Sequence, residues 1–243
     1  MTTAFLLDGE EVPFTPGQTV MQAASAAGKY IPHLCWHPDF SAHGSCKLCT
    51  VKIGSRFATA CTTRAAAGQE IDNRTEELTA KRRTLLQLLF VEGNHFCPSC
   101  EKSGDCMLQA TAYEMGMLSP HFDHFFPDRG VDASHPEVLL DFNRCILCEL
   151  CVRASREVDG KNVFALSGRG AHSHLIVNSE SGRLADTDFA PTDRAAEVCP
   201  VGVILKKRVG FAVPIGQRSY DLHPISAERP TSTEAVVNVK EGG

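Results

Sequence analysis

The sequence predicts an α+β protein made of three small units that follow one another along the chain, each with its own group of cysteines. Two observations predict this class: short strand-like apolar stretches alternate with short helical patterns, and the cysteines fall into three separate groups. A chain of 243 residues has room for roughly two or three small units, which often need a metal or a disulfide besides an apolar core. The eleven cysteines can supply that stabilisation.

The first unit is predicted to be a small sheet with one helix lying across it. Residues 4–14 have the pattern of a hairpin around an Asp8-Gly9 turn. Thr19 is a suitable cap for a helix over residues 20–27. Two further strand patterns follow the next loop, at residues 50–53 and 57–60.

The second unit is predicted to be helical. Asn73 and Glu76 have the spacing of a capping box, and leucines then recur at helical spacing as far as Gly93. A second helix is predicted over residues 105–115, followed by a connector rich in proline and histidine.

The third unit alternates short strand patterns with a short helix over residues 195–198, which suits a second small α+β unit. The last segment is punctuated by proline and glycine, ends in polar residues, and is predicted to be a tail that docks on a partner. The predicted boundaries are 1–78, 79–136, 137–210 and, for the tail, 211–243.

Composition and charge exclude several classes of protein. The hydrophobic fraction of 43% and the charged fraction of 22% are ordinary for a globular protein, and the net charge of -5 predicts no binding of nucleic acid. The first residues lack the basic start of a signal peptide, and no stretch approaches the roughly 18 apolar residues of a membrane span. We therefore expect a cytoplasmic protein without a membrane span, in which reduced thiols bind metal.

The first group of cysteines has ligand spacing that suits a 2Fe-2S cluster. Its members, with ten, two and eleven residues between them, are Cys35, Cys46, Cys49 and Cys61. Such a cluster needs two thiolates on each iron, which a loop with three cysteines and a fourth at a strand end can supply. Gly44 suits a backbone that wraps the cluster closely. Zinc is the alternative, although the paired Cys-x2-Cys motifs of many zinc sites are absent.

The second group is one cysteine short of a complete 4Fe-4S site. Cys97, Cys100 and Cys106 supply three thiolates, and His95 lies immediately upstream at the end of the long helix. Neutral imidazole is an acceptable iron ligand, and its lack of charge raises the cluster's potential relative to four thiolates. The alternative is a surface histidine at a helix end, but the missing fourth ligand favours coordination by His95.

The third group is the most specific signal in the chain. It combines a closely spaced run with a distant Cys-Pro: Cys145, Cys148, Cys151 and Cys199-Pro200. Thiolates at this spacing hold three corners of a 4Fe-4S cube, and the distant cysteine binds the fourth. No second cysteine run surrounds Cys199, so one cluster is predicted here. The three groups use all eleven cysteines, and His95 is the twelfth ligand for three clusters.

Motifs for substrate chemistry are absent from the sequence. There is no G-x-G-x-x-G after a strand, no P-loop and no catalytic triad with an unassigned nucleophile. We therefore expect no catalytic residue and no flavin or NAD bound by this chain, whose role is then to pass electrons.

The stretch from Glu92 to Cys106, with the chain ending soon after the third group, resembles the small diaphorase subunit of bidirectional NAD-reducing nickel-iron hydrogenases. Over residues 3–208 the chain is also similar to the N-terminal cluster-bearing region of the large respiratory NADH dehydrogenase subunit and of iron-only hydrogenases. In the larger relatives the histidine stands farther from the first cysteine, whereas here only Phe96 intervenes.

The resemblance implies an N-terminal β-grasp 2Fe-2S ferredoxin-like domain, a small helical His/Cys segment with a 4Fe-4S cluster and a C-terminal ferredoxin-like 4Fe-4S domain. It implies the same three ligand sets: Cys35, Cys46, Cys49 and Cys61; His95, Cys97, Cys100 and Cys106; Cys145, Cys148, Cys151 and Cys199.

The implied function is electron relay within an oxidoreductase complex that couples reversible hydrogen oxidation to NAD reduction. The implied partners are a flavin- and NAD-binding diaphorase subunit and the small and large subunits of a nickel-iron hydrogenase. Three alternatives stay open: the same relay in an NAD-dependent formate dehydrogenase or a respiratory NADH dehydrogenase, a zinc-binding structural module, and a redox sensor, which would need a nucleic-acid-binding element.

Overall fold

A computed structural model describes residues 3–227. The strands in this part are β1 (Ala4–Leu7), β2 (Glu10–Pro13), β3 (Thr50–Ile53), β4 (Arg56–Thr59), β5 (Glu70–Asp72), β6 (Val131–Asp132), β7 (Val138–Asp141), β8 (Phe164–Ser167), β9 (His174–Val177) and β10 (Ile204–Lys206). The α-helices are α1 (Val20–Ala26), α2 (Glu76–Val91), α3 (Met107–Glu114), α4 (Leu150–Glu157) and α5 (Arg194–Glu197).

The N-terminal unit is a mixed five-stranded sheet in the order β2-β1-β5-β3-β4, in which β1 and β5 are parallel and the other neighbours antiparallel. The predicted hairpin and helix α1 are present, and Thr19 forms a capping box with Gln22. Strand β5 was not predicted, because it has three residues and a single buried side chain, Ile71. It joins the hairpin to β3 and so completes the sheet.

Helix α2 begins two residues later than the predicted capping box indicates. The cap is Thr75, whose side chain accepts a hydrogen bond from the Leu78 amide. Asn73 has another role: its side-chain and backbone oxygens accept hydrogen bonds from Arg82, and its amide group donates to the Tyr30 carbonyl. The buried guanidinium of Arg82 needs these acceptors, which removes Asn73 from the helix start.

The third unit contains an antiparallel sheet in the order β10-β7-β6, a separate β8-β9 hairpin and helices α4 and α5, which pack on each other. Helix α4 was not predicted, because the cysteine run that leads into it obscures its helical pattern. The third unit shares one apolar core with the second unit, and this core also takes in Leu34, Cys35 and Leu48 from the first. The predicted α+β class is confirmed.

The first part of the predicted docking tail lies against the chain's own second cysteine loop. Arg218 donates to the Ser103 carbonyl, the Ser219 amide and hydroxyl donate to Asp105, and the Tyr220 amide donates to the Gly104 carbonyl. Residues 228–243 of that tail lie outside the described part of the chain. Within residues 3–227, no helix is long and apolar enough to span a membrane.

Candidate iron-sulfur sites

The first cysteine group is folded into two contacting pairs beside the N-terminal sheet. Cys49 Sγ and Cys61 Sγ are 3.3 Å apart, and the side chains of Cys35 and Cys46 are hydrogen-bonded to each other. Cys46 is partly exposed and the other three are buried. Two adjacent thiolates for each of two irons is the arrangement that a 2Fe-2S cluster requires.

The backbone around this group is shaped to approach the sulfur atoms. Lys47, between two of the cysteines, has a left-handed φ of 56°, and the Cys46 amide lies 3.5 Å from Cys35 Sγ as a donor. Gly44 has a φ of 74°, and a Cβ there would lie 3.2 Å from a Thr62 methyl carbon and 4.0 Å from Cys61 Sγ. Glycine therefore suits this position for its conformation and for its small size.

Arg82 of α2 holds the part of the same loop around Cys49. Its Nε donates to the Leu48 carbonyl at 3.0 Å and its Nη2 to the Thr50 carbonyl at 2.8 Å. Nη1 and Nη2 also donate to the backbone and side-chain oxygens of Asn73. Burial lowers the pKa of Arg82 to about 10, which leaves it charged at neutral pH. Helix α2 thus holds a positive charge beside the first cysteine loop.

The second group lines one small cavity, which brings together His95, Cys97, Cys100 and Cys106. The Nε2 atom of His95 is buried and has no hydrogen-bond partner. Buried polar atoms are nearly always paired, so this nitrogen needs a partner that the protein atoms do not supply. Burial, and then the charges of Arg144 and Arg129, lower the pKa of His95 to about 4. The imidazole is therefore neutral at pH 7, the form that binds a metal.

Burial makes two of the cysteine thiols weak acids. Burial raises the pKa of Cys106 to about 12 and that of Cys145 to about 11. A free thiol in either position is protonated at neutral pH, whereas the thiolate is the form that binds iron. Neither side chain is therefore a reactive free thiol, and either would bind iron only after losing its proton.

The third group surrounds the start of α4. Leu147 and Glu149, which alternate with its cysteines, have left-handed φ values of 53° and 59°, and the Leu147 amide lies 3.5 Å from Cys145 Sγ as a donor. Such conformations cost about 1–2 kcal/mol per residue outside glycine, and they are found where function requires the backbone to wrap a ligand. Burial, and then the proximity of Cys199 and Cys145, raise the pKa of Cys148. The distant Cys199 packs against the same apolar core as Cys148 and Cys151, close to this run.

The third group lies between the other two. On one side, Arg153 donates to the carbonyls of both Cys35 and Cys148. On the other side, Cys106 Sγ is 3.7 Å from the carbonyl oxygen of Pro200, the residue after Cys199. The order in space is therefore first, third, second, which differs from the order along the chain.

Arg144 connects the third group to the second. It directly precedes Cys145, and its Nη1 lies 3.4 Å from Cys100 Sγ and 2.8 Å from Glu101 Oε2. Its Nε pairs with Asp141 at 2.7 Å. The sequence pattern places Arg82 on a solvated face of the helix, and this was wrong, because Arg82 is buried. Sequence reasoning also missed Arg144 and Arg153, whose only signal was an arginine one or two positions from a cysteine.

In the part of the chain that the structure describes, no group of three or more His, Cys, Asp or Glu side chains converges on a position for one metal ion. A 4Fe-4S cluster keeps its four ligands apart, because each of them binds a different iron. The features that fit clusters are the thiol pairs, the cavity around His95 and the wrapped backbone.

Three family models match successive parts of the chain. Residues 1–76 match a 2Fe-2S iron-sulfur cluster binding domain, residues 82–121 the NADH-ubiquinone oxidoreductase-G iron-sulfur binding region, and residues 138–205 a 4Fe-4S single cluster domain. The chain thus contains 2Fe-2S and 4Fe-4S binding domains, and the predicted ferredoxin-like organisation is confirmed.

Curated relatives come from several oxidoreductases. The gamma subunit of the NAD-reducing hydrogenase HoxS of Cupriavidus necator is 38% identical over 228 residues, which cover 93% of this chain and 97% of the relative. The alpha subunit of an NADPH-Fe(3+) oxidoreductase of Geobacter sulfurreducens is 31% identical, and one subunit of the NADH-quinone oxidoreductase of Rickettsia typhi is 28% identical. This chain spans 24% and 30% of the length of those two relatives.

Among solved structures, one chain of an NAD+-reducing [NiFe]-hydrogenase in the H2-reduced state superposes with a TM-score of 0.91. It is 55% identical, and the match covers 94% of this chain and 97% of that one. The resemblance inferred from residues 92–106 is therefore confirmed. The chain belongs to the family of the gamma subunit of NAD-reducing hydrogenase, a cluster-bearing subunit of an oxidoreductase complex.

Proposed function

We propose that this chain relays single electrons through one 2Fe-2S cluster and two 4Fe-4S clusters. The proposed ligands are Cys35, Cys46, Cys49 and Cys61 for the 2Fe-2S cluster, His95, Cys97, Cys100 and Cys106 for one 4Fe-4S cluster, and Cys145, Cys148, Cys151 and Cys199 for the other. The observation that carries the proposal is that all eleven cysteines and one buried, unpartnered imidazole nitrogen divide into three sets without remainder.

Bound clusters supply one-electron redox chemistry at potentials that depend on charge, hydrogen bonds to sulfur and exposure to solvent. The chain controls the charge, the hydrogen bonds to sulfur and the exposure of each site. Backbone amides approach Cys35 and Cys145, buried arginines place positive charge beside the loops, and the shared apolar core excludes water between the sites. The third cysteine group lies between the others, which supports transfer in the order first, third, second.

The proposed partners are a flavin- and NAD-binding diaphorase subunit and the small and large subunits of a nickel-iron hydrogenase, in the cytoplasm. The hydrogenase relatives support this, since this chain covers nearly their whole length. The surface near the second site also favours a protein partner. Phe96, Phe211 and Ile215 are 69%, 66% and 84% exposed there, and a groove of about 520 Å³ separates the Cys97 loop from the tail.

The test is metal and cofactor analysis of the complex isolated with this chain, together with EPR of its reduced form. We expect nickel and flavin in the complex. For this chain expressed alone, we expect the iron and acid-labile sulfide of one 2Fe-2S and two 4Fe-4S clusters. Molybdenum or tungsten in place of nickel would favour the formate dehydrogenase alternative. A colourless chain with stoichiometric zinc would refute the relay.

A pair of histidine variants tests the ligand sets. His95→Ala should remove or alter one 4Fe-4S signal and leave the 2Fe-2S signal unchanged, because Nε2 of His95 lies in the cavity of the second group. His121→Ala is the matched control, since His121 is an exposed histidine outside the three cysteine loops. Equal spectra for both variants would remove His95 from the ligand set.

A further inference from the structure

Arg153 of α4 is a buried arginine whose donors all reach backbone carbonyls. The residue is 4% exposed. The guanidinium donates to the carbonyl oxygens of Cys35 at 2.6 Å, Ser41 at 2.5 Å, Cys148 at 3.2 Å and Glu149 at 3.3 Å. Two of these residues belong to the first cysteine loop and two to the third.

One nitrogen joins the two loops directly. Nη2 of Arg153 donates both to Cys35, a proposed 2Fe-2S ligand, and to Cys148, a proposed 4Fe-4S ligand. Arg153 is 118 positions from Cys35 in the sequence, and the two loops adjoin different sheets. The planar guanidinium group of arginine has several donors in fixed directions and can hold two backbone segments in one relative position. The ammonium group of lysine, on its flexible side chain, cannot.

The charge of Arg153 has no carboxylate partner within 4.0 Å among residues 3–227, in contrast to Arg144 and Arg194, which pair with acidic side chains. A buried cation is costly unless an opposite charge compensates it. The thiolates of the first and third cysteine groups, bound to iron, supply negative charge on both sides of the guanidinium. Each reduction adds one further negative charge there.

We propose that Arg153 is a positioning residue that fixes the 2Fe-2S loop against the C-terminal 4Fe-4S loop and stabilises the added electron on both. The proposal rests on the ligand sets of the proposed function. Arg153 thus has two effects, which different substitutions separate. Its charge raises the reduction potentials of both clusters, and its planar guanidinium group fixes the relative position of the two loops.

The experiment is an EPR-monitored redox titration of the intact complex with Arg153→Met, Arg153→Lys and Arg156→Met. Arg156 is the matched control, because it is an exposed arginine on the same helix that pairs with Glu157. Arg153→Met should lower the reduction potentials of the 2Fe-2S cluster and the C-terminal 4Fe-4S cluster. At a fixed applied potential, the ratio of reduced to oxidised cluster should fall about tenfold, which corresponds to about 59 mV for a one-electron couple. Arg153→Lys keeps the charge and should restore both potentials, while both clusters become more accessible to an iron chelator.

Unchanged potentials in Arg153→Met, a shift of only one of the two signals, or an equal shift in Arg156→Met would overturn the proposal. If Arg153→Met does not retain its clusters, Arg153→Lys decides: faster chelation of both clusters supports the proposal, and faster chelation of one alone, or of neither, overturns it. A wild-type protein that lacks either signal would instead show that the proposed ligand sets are wrong.

Discussion

Arg144 offers the sharpest test of how this chain sets the potential of its histidine-bearing site. Arg144→Gln removes the guanidinium whose Nη1 lies 3.4 Å from Cys100 Sγ, and leaves the carboxylates of Glu101 and Asp141 without their partner. Both changes make the surroundings of Cys100 more negative. Reduction adds negative charge to the site, so the potential should fall.

The magnitude follows from the lost hydrogen bond. A hydrogen bond to a charged group contributes about 1.5–3 kcal/mol. A tenfold change in a one-electron equilibrium corresponds to about 1.36 kcal/mol and about 59 mV, so the whole energy of the bond corresponds to about 65–130 mV. The bond is present in both oxidation states, and the potential shifts only by the difference in its strength between them, so this range is an upper limit. Loss of the positive charge beside Glu101 and Asp141 acts in the same direction. We expect a fall of tens of millivolts, at most about 130 mV.

The assay is an EPR-monitored titration that follows the three clusters separately. Glu101→Gln is an informative counterpart, because it removes a negative charge while Arg144 keeps its bond to Asp141, and should raise the same potential. Arg156→Gln controls for the loss of an arginine at an exposed position. The reasoning is refuted if Arg144→Gln leaves the histidine site unchanged, raises its potential, or shifts only the C-terminal site.

Three further predictions follow from the same structure. His95→Cys should retain the cluster at a lower potential, because a thiolate adds a charge that neutral imidazole lacks; an unchanged EPR signal and potential would show that His95 is not a ligand. Thr75→Ala should lower the free energy of unfolding by about 1 kcal/mol, measured by chemical denaturation, because the Leu78 amide loses its cap. A free energy of unfolding equal to that of the wild type would mean that water replaces the Thr75 hydroxyl at the Leu78 amide. Anaerobic chelation of iron should lower the melting temperature measured by circular dichroism, and an unchanged melting curve would separate folding from metal binding.

The sequence was sufficient to predict the features that depend on local pattern. The hairpin around Asp8-Gly9 and the helix capped by Thr19 follow from turn and capping preferences, which act over a few residues. Cysteine spacing predicted the three groups, and Cys199 lies close to the run that begins at Cys145. Ligand spacing is informative because the chain between close cysteines has little freedom.

Features that depend on distant residues were not predictable in the same way. Asn73 was expected to cap α2. Instead, both oxygens of Asn73 accept hydrogen bonds from Arg82, which also donates to the distant Leu48 carbonyl. No local pattern reveals that a buried guanidinium will need these oxygens. The spatial order of the three cysteine groups was inaccessible for the same reason, because it depends on how the loops pack rather than on their positions in the chain.

The three arginines that sequence reasoning missed explain how a chain with a net charge of -5 can suit sites that are themselves negative. Arg82 contacts the first loop, Arg153 the first and third, and Arg144 the second. Positive charge is thus concentrated between and around the cysteine groups, although the molecule as a whole is acidic. Electrostatic interactions are stronger in a buried environment than at the surface, so the local arrangement outweighs the net charge. The total charge alone therefore carries no information about the ease of reduction, whereas the position of each arginine does.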